Sequence, residues 1–102
     1  MTKYTITKSE HSYKIELSGH ALYADYGNDI VCAAISMAVQ MTANLIDKLG
    51  FGCNIMNLVH EEGKFIIETD MKNDIVIKVM DNLVEHLDAI SVQYPNNIKN
   101  LK

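Results

Sequence analysis

Two pairs of short alternating segments, each pair followed by a longer stretch with helical periodicity, limit the possible folds of this chain more than any other feature. A strand buried on one face alternates apolar and polar residues, whereas an amphipathic helix repeats them every three to four positions. The pattern predicts strands at residues 3–8, 13–19, 53–60 and 64–70 and helices at 30–49 and 73–93. Because 102 residues hold one modest core, we predict a single domain over residues 1–102. Its expected class is α+β, a two-layer sandwich in ββαββα order with a mostly antiparallel sheet and two helices.

The two predicted helices differ in the amount of apolar surface that they carry. The helix at 73–93 is amphipathic, and its apolar face consists of Val76, Met80, Leu83, Leu87 and Ile90. The helix at 30–49, with Asp29 as its predicted N-cap and Gly50 as its C-cap, is apolar around most of its circumference. A four-stranded sheet covers only one side of a helix, so the excess apolar surface predicts a homodimer. The tail after Pro95 either frays or adds a short edge strand.

Charge and hydropathy exclude several classes of protein. The net charge is −4, whereas nucleic-acid-binding domains usually carry a basic face, so we expect no direct nucleic-acid binding. The first ten residues are polar and lack the apolar core of a secretory signal. Ser36, Gln40 and Thr42 interrupt the longest apolar run, which argues against a membrane span. We therefore expect a cytoplasmic protein without a membrane partner.

The cysteines and histidines show no metal-ligand spacing. The two cysteines form no Cys-x-x-Cys motif, and the four histidines lie in separate predicted elements, so we expect no metal and no cofactor. Cys53 begins a predicted strand and is interpreted as a core or strand-end residue. Three of the histidines are interpreted as surface or structural residues, and these are His11, His60 and His86.

Cys32 is placed differently from an ordinary buried cysteine. A single polar stripe follows the first helix at i+4 and i+3 spacing, and it consists of Ser36, Gln40, Asn44 and Asp47. Extending this stripe back by four residues reaches Cys32. If Asp29 caps the helix, Cys32 lies in the first turn, where unpaired N–H groups and the helix dipole favour an anion. The pattern therefore predicts an exposed cysteine that is stabilised as a thiolate.

His20 supplies the second half of a possible catalytic pair. It ends the second predicted strand and opens an irregular loop, residues 21–28, that leads back to the helix carrying Cys32. Taken singly, a free cysteine is most often a small buried hydrophobe and a loop histidine is most often solvated. Together, a cysteine and a histidine within hydrogen-bond reach are the minimum apparatus of a thiol nucleophile.

The segment around these two residues resembles the ribosomal-processing cysteine protease family, called Prp. The positions that carry the resemblance are Gly19, His20, Tyr26, Gly27, Asp29, Cys32 and Ser36. Ala34 stands where some members of that family carry glycine. The resemblance implies a homodimeric cysteine endopeptidase that removes the N-terminal extension of a large-subunit ribosomal protein during ribosome maturation. It also implies that His20 and Cys32 are the catalytic pair.

Other residues of this segment receive supporting roles. Asp29 either caps the helix or orients His20, and Ser36 either hydrogen-bonds near the thiolate or only continues the polar stripe. Gly19 precedes the histidine, and the loop with Tyr23, Tyr26 and Gly27 is the expected gate for substrate.

Two alternative functions stay open. One is a non-catalytic ribosome-assembly or peptide-binding module, which would use the loop and tolerate the loss of Cys32. The other is a thiol redox sensor, which would need Cys53 to approach Cys32.

Overall fold

Two helices pack on one face of the sheet, as the sequence pattern predicts, and the sheet has five strands, one more than the four that the alternating segments predict. The computed structural model describes residues 2–19, 26–61 and 63–101, and for residues 26–29 it describes the backbone alone. The elements are β1 (Thr2–Lys8), β2 (Ser12–Ser18), α1 (Tyr26–Lys48), β3 (Ile55–Glu61), β4 (Lys64–Asp70), α2 (Asp74–Gln93) and β5 (Ile98–Asn100). This ββαββαβ order confirms the α+β sandwich with a mostly antiparallel sheet.

The order of strands across the sheet is β3-β4-β2-β1-β5. The central pairs are antiparallel, and β5 adds to β1 in parallel, with Thr2 opposite Ile98. The tail after Pro95 therefore forms a strand, because the side chain of Ile98 is buried in the core. On the other side of the sheet, β3 is the edge strand.

Alternate residues of the central strands face the helices and form one core. The buried apolar side chains of the strands include Tyr4, Tyr13, Ile15, Leu17, Phe65 and Ile67. Two of these residues connect the sheet to α2 through their hydroxyl groups: Tyr4 donates to Asp88, and Tyr13 donates to Asp81 at 2.7 Å. Burial, together with the hydrogen bond to Asp88, raises the pKa of Tyr4 from 10.0 to about 12.

Helix α1 begins at Tyr26, four residues earlier than the sequence predicts. Asp29 is therefore not the N-cap but lies in the first turn, and Cys32 lies in the second turn. Gly27 and Asn28 are weak helix formers, and a glycine inside a helix costs up to about 1 kcal/mol of stability relative to alanine. For this reason the sequence around them predicts a turn. Helix propensity is only weak evidence, and here the packing of the rest of the fold outweighs it.

The start of β3 also differs from the prediction. A short 3-10 turn, Gly52–Asn54, precedes the strand, which begins at Ile55 rather than at Cys53. Cys53 is an exposed residue of this turn, and its Sγ lies 3.7 Å from Asn54 Oδ1. The interpretation of Cys53 as a core or strand-end residue is therefore wrong.

By length and composition alone, the segment Ile30–Lys48 of α1 is apolar enough to cross a membrane. The interruption by Ser36, Gln40 and Thr42 is therefore weak evidence against a span. A core helix of a globular protein meets the same criterion. The side chains of α1 that are buried in the core are Val31, Ile35, Val39 and Ile46. The absence of a membrane partner stays a prediction.

Candidate active site

An open cleft of about 320 Å³ lies between the first half of α1 and one end of the sheet. Its apolar lining comes from buried residues of β2, α1 and β4, namely Leu17, Ile35, Val39 and Phe65. Polar and small residues complete the lining, and these are Thr2, Gly19, Cys32, Ser36, His60, Glu61, Gly63 and Lys64. The cleft therefore offers an apolar floor with a thiol and a hydroxyl on one wall.

Cys32 is a free thiol and is half-buried on the wall that α1 contributes. Ser36 follows one helical turn later in the same cleft, and the Nε2 of Gln40 donates to Ser36 Oγ at 2.9 Å. Because this bond uses a lone pair of the serine, the hydroxyl hydrogen of Ser36 can still be donated to another acceptor. The polar stripe predicted on this helix thus faces solvent and begins at the cleft.

The opposite wall includes the point at which β2 ends. Gly19 has a φ of 89°, a conformation that favours glycine, and its N–H donates to the carbonyl of Gly63 at 3.0 Å. This bond ties the end of β2 to the turn between β3 and β4. His20 is the next residue in the chain, so Gly19 brings the backbone to the cleft immediately before the histidine.

Several predicted site residues fall outside the description of the structure. His20 and Tyr23 lie outside the described residues, together with the rest of residues 20–25. Tyr26 and Gly27, predicted as loop residues, instead belong to the first turn of α1. The structure therefore brings together three of the predicted residues, Gly19, Cys32 and Ser36.

Sequence reasoning missed the contribution of the β3–β4 hairpin to this cleft. His60 was interpreted as surface or structural, yet it lines the cleft of Cys32 together with Glu61 and Lys64. Its ring meets Phe65 edge-on, with ring centroids 5.9 Å apart and an interplanar angle of 81°. No local sequence signal marked His60, because its position follows from the strand register, in which Phe65 lies opposite both His60 and Leu17.

The other histidines and cysteine lie elsewhere. Neither His11 nor His86 lines the cleft, and His86 Nδ1 lies 2.7 Å from the carbonyl oxygen of Asn82 on α2. Cys53 does not line it either. Within the described ranges, no three His, Cys, Asp or Glu side chains are grouped to hold a metal ion. The described cleft therefore holds a thiol beside a hydroxyl on α1, together with the imidazole of His60 and the carboxylate of Glu61 from β3.

Comparisons with known proteins agree with this site. The family model "Cysteine protease Prp" matches residues 1–99. The chain is 31% identical to the ribosomal processing cysteine protease Prp of Staphylococcus aureus over 84 residues, which cover 81% of this chain and 79% of that protein.

Solved structures extend the similarity to the fold. An essential ribosomal processing protease Prp from S. aureus in complex with a substrate peptide superposes with a TM-score of 0.82 at 25% identity, covering 98% of this chain and 97% of that one. The same S. aureus protease with a covalently linked product peptide gives a TM-score of 0.76 at 25% identity, with the same coverage. Taken together with the match over residues 1–99, these findings place the chain in the Prp family of ribosomal processing cysteine proteases.

Proposed function

We propose that this protein is a cysteine endopeptidase that removes the N-terminal extension of a large-subunit ribosomal protein. The observation that carries the proposal is the free, half-buried thiol of Cys32 in an open cleft whose other wall includes Gly19, directly before His20. A related S. aureus protease holds a substrate peptide in one structure and a covalently linked product peptide in another. A covalent adduct is what a nucleophilic mechanism forms.

In the proposed mechanism, Cys32 is the nucleophile and His20 is the general base. His20 takes the thiol proton, and the thiolate attacks the scissile carbonyl to form a tetrahedral intermediate. His20 then returns the proton to the leaving amine, which leaves a thioester on Cys32. Water hydrolyses the thioester, its proton passing through His20, and the acid product departs with the free thiol restored.

The position of the helix start changes what activates the thiol. The favourable effect of a helix dipole on an anion falls off within the first turn, and Cys32 lies in the second turn. The unpaired N–H groups belong to the first turn, near Tyr26 to Asp29, where they are candidate donors to the oxyanion. We therefore assign the activation of Cys32 mainly to His20.

The supporting residues keep their predicted roles with one change. Asp29 belongs to the first turn of α1, and it is proposed to orient His20. Gly19 sets the position of the histidine, and Ser36 is proposed to hydrogen-bond to the thiolate. Tyr23, Tyr26 and Gly27 are proposed to border the entry of the peptide.

The proposed enzyme is a cytoplasmic homodimer without a nucleic-acid or membrane partner. A groove of about 770 Å³ separates α1 from α2 on the side of α1 away from β3, and large apolar side chains border it. On α1 these are Met37, Met41 and Leu45, which are 58%, 62% and 45% exposed. An apolar surface of this kind is typical of an interface between subunits, and we propose that a second copy covers it.

The test is cleavage of a synthetic peptide that spans the extension and the first residues of the mature ribosomal protein, followed by mass spectrometry. Wild-type protein and the control Cys53→Ala are expected to cut one bond, whereas Cys32→Ala and His20→Ala are expected to leave the peptide intact. Tight binding without cleavage by every variant would favour the alternative, a non-catalytic peptide-binding module. An intramolecular disulfide between Cys32 and Cys53 that forms readily under mild oxidant would point to the redox alternative.

A further inference from the structure

A second hollow, about 450 Å³ in volume, lies further along α1 beside the edge strand β3. It is lined mainly by Ala43, Asp47, Ile55, Met56, Asn57 and Leu58. Leu58 and Met56 leave 48% and 58% of their surface exposed there. The hollow thus presents apolar side chains to solvent outside the cleft of Cys32.

The same two elements border the hollow and the cleft. Helix α1 borders the cleft with residues from Cys32 to Val39 and borders the hollow with residues from Ala43 to Asp47. Strand β3 borders the hollow with its first residues and reaches the cleft at His60. From Cys32 to Asp47 a helix rises about 22 Å, and the six steps of β3 span about 20 Å. The cleft and the hollow therefore follow one another along α1 and β3 over about 20 Å, and we refer to the two together as the groove between α1 and β3.

The strand that borders this groove lacks the usual protection of an edge. Among the residues that the structure describes, β3 pairs with β4 alone and its other side has no strand beside it. Its sequence, IMNLVHE, contains neither proline nor lysine, the residues that commonly block pairing at an edge. The register shifts between Ile55 and Asn57, as at a β-bulge, which can also block pairing, but this shift is confined to the end far from the cleft. From Asn57 to Glu61 the strand is regularly paired with β4, so its outer backbone groups are arranged to accept another strand.

We propose that the substrate peptide binds as an added strand along β3, with one side chain in the cleft of Cys32 and a second, apolar side chain in the hollow. This inference rests on the proposed function, because the occupant is the segment that continues from the bond at Cys32. An extended segment of about seven residues fills the groove. In an extended peptide, side chains four residues apart point the same way and lie about 13 Å apart. On α1, the middle of the segment that lines the cleft and the middle of the segment that lines the hollow are about 14 Å apart. The two spacings are similar, so both side chains can be accommodated at once.

The first test measures binding rather than cleavage. A fluorescently labelled peptide with the sequence of the extension and its junction is titrated into Cys32→Ala protein, which keeps the bond intact. Adding Leu58→Glu is expected to weaken binding about tenfold, and Met56→Glu is expected to act in the same direction. The matched control is Leu101→Glu, because Leu101 is 49% exposed and follows β5 at the opposite edge of the sheet. It is expected to bind like the parent, and thermal melts check that every variant is folded.

The second test asks whether the peptide pairs with β3 through its backbone. Methylating one peptide nitrogen at a time removes one donor, and only alternate N–H groups of an added strand point at its neighbour. Affinity is therefore expected to fall at every second position. An effect without alternation, or unchanged binding by Leu58→Glu and Met56→Glu, would overturn the proposal.

Two further outcomes distinguish a peptide added along β3 from a contact between two copies of the chain and from a failure of the cleavage chemistry. A change of oligomeric state in Leu58→Glu with unchanged peptide affinity would assign the edge to a second copy of the chain, against the proposal. Failure of wild-type protein to cleave the peptide would contradict the proposed function, whereas alternating binding by Cys32→Ala would still support the added strand.

Discussion

At the scale of single residues, the geometry around Cys32 places Ser36 where its hydroxyl can hydrogen-bond to a reacting group. Ser36 lies one turn away in the same cleft and already accepts a hydrogen bond from Gln40. Its own hydrogen is therefore available to a thiolate or to a reacting group beside it. A hydrogen bond to a charged group contributes about 1.5–3 kcal/mol, which is enough to affect the rate.

Replacing Ser36 by alanine is expected to lower kcat by about tenfold or more while KM changes little, because the hydroxyl acts on the charged state. Steady-state kinetics on the junction peptide measure this split. The control is Gln40→Ala, which removes only the donor to Ser36 and is expected to have a smaller effect. A Ser36→Ala variant with wild-type kcat would assign Ser36 to the polar stripe alone.

Two buried tyrosines make stability depend on alkaline pH. Burial and the hydrogen bond to Asp88 raise the pKa of Tyr4 to about 12, and burial, together with Asp81, also raises the pKa of Tyr13. A phenol of the unfolded chain ionises near 10, so these residues stabilise the fold fully below pH 10. That contribution is lost as the pH rises from 10 through the folded pKa.

Tyr4→Phe is expected to be less stable than wild type at pH 8, since it loses the hydrogen bond to the Asp88 carboxylate, worth about 1.5–3 kcal/mol. Between pH 10 and pH 12 the free energy of unfolding of the wild type falls while that of the variant falls less, so the difference narrows. Urea unfolding followed by circular dichroism at several pH values measures it. A difference that stays constant over this range would contradict the shifted pKa of Tyr4.

At the scale of elements, the two helices differ in how well their sequence marks their ends. The predicted start of α2 agrees with the structure to within one residue, because Asn73 is an N-cap whose Oδ1 accepts from the N–H groups of Ile75 and Val76, at 2.9 and 3.2 Å. The start of α1 was wrong by four residues, since Asp29 looks like a cap and Gly27 looks like a turn. Local signals therefore placed the start of α2 correctly and misplaced the start of α1.

Asn73→Ala is expected to destabilise the protein by about 1 kcal/mol, because two N–H groups at the start of α2 lose their acceptor. Asn73→Ser, which retains a capping oxygen, is expected to restore most of the loss. Denaturant unfolding of the three proteins measures the difference. Equal stability of the alanine variant and wild type would show that this cap does not limit the stability of α2.

The limits of sequence reasoning lie where residues distant in the chain meet. Alternation and helical periodicity predicted the strands and helices, and the polar stripe placed Cys32 and Ser36 on one solvent-facing line of α1. The contribution of His60 depends on the register between β3 and β4, which fixes it opposite Phe65. The groove between α1 and β3 depends on the strand order of the sheet. Neither the register nor the strand order can be inferred from a local sequence pattern.

At the scale of the whole molecule, α1 separates two surfaces. One side borders the groove along β3, and the other borders the apolar groove against α2. The exposed methionines Met37 and Met41 belong to the second side. The two surfaces meet at Asn44, which lines both, and the other α1 residues that line them are different.

Met41→Glu is expected to convert a dimer into a monomer, because it places a charge in the apolar surface that a second copy would cover. Sedimentation velocity at several protein concentrations measures the change. Gln40→Glu is the control, since Gln40 is an exposed neighbour that does not border this groove. A wild-type protein that sediments as a monomer at all concentrations would contradict the homodimer.

The most direct test of the central claim is covalent capture of the nucleophile. A junction peptide that carries a chloromethyl ketone in place of the scissile amide is incubated with the protein, and the modified residue is identified by mass spectrometry. The proposed mechanism predicts a single adduct on Cys32, formed much more slowly in His20→Ala, with the exposed Cys53 unmodified at the same dose. Preferential labelling of Cys53, or an equal rate with and without His20, would contradict the assignment of Cys32 and His20 as the catalytic pair.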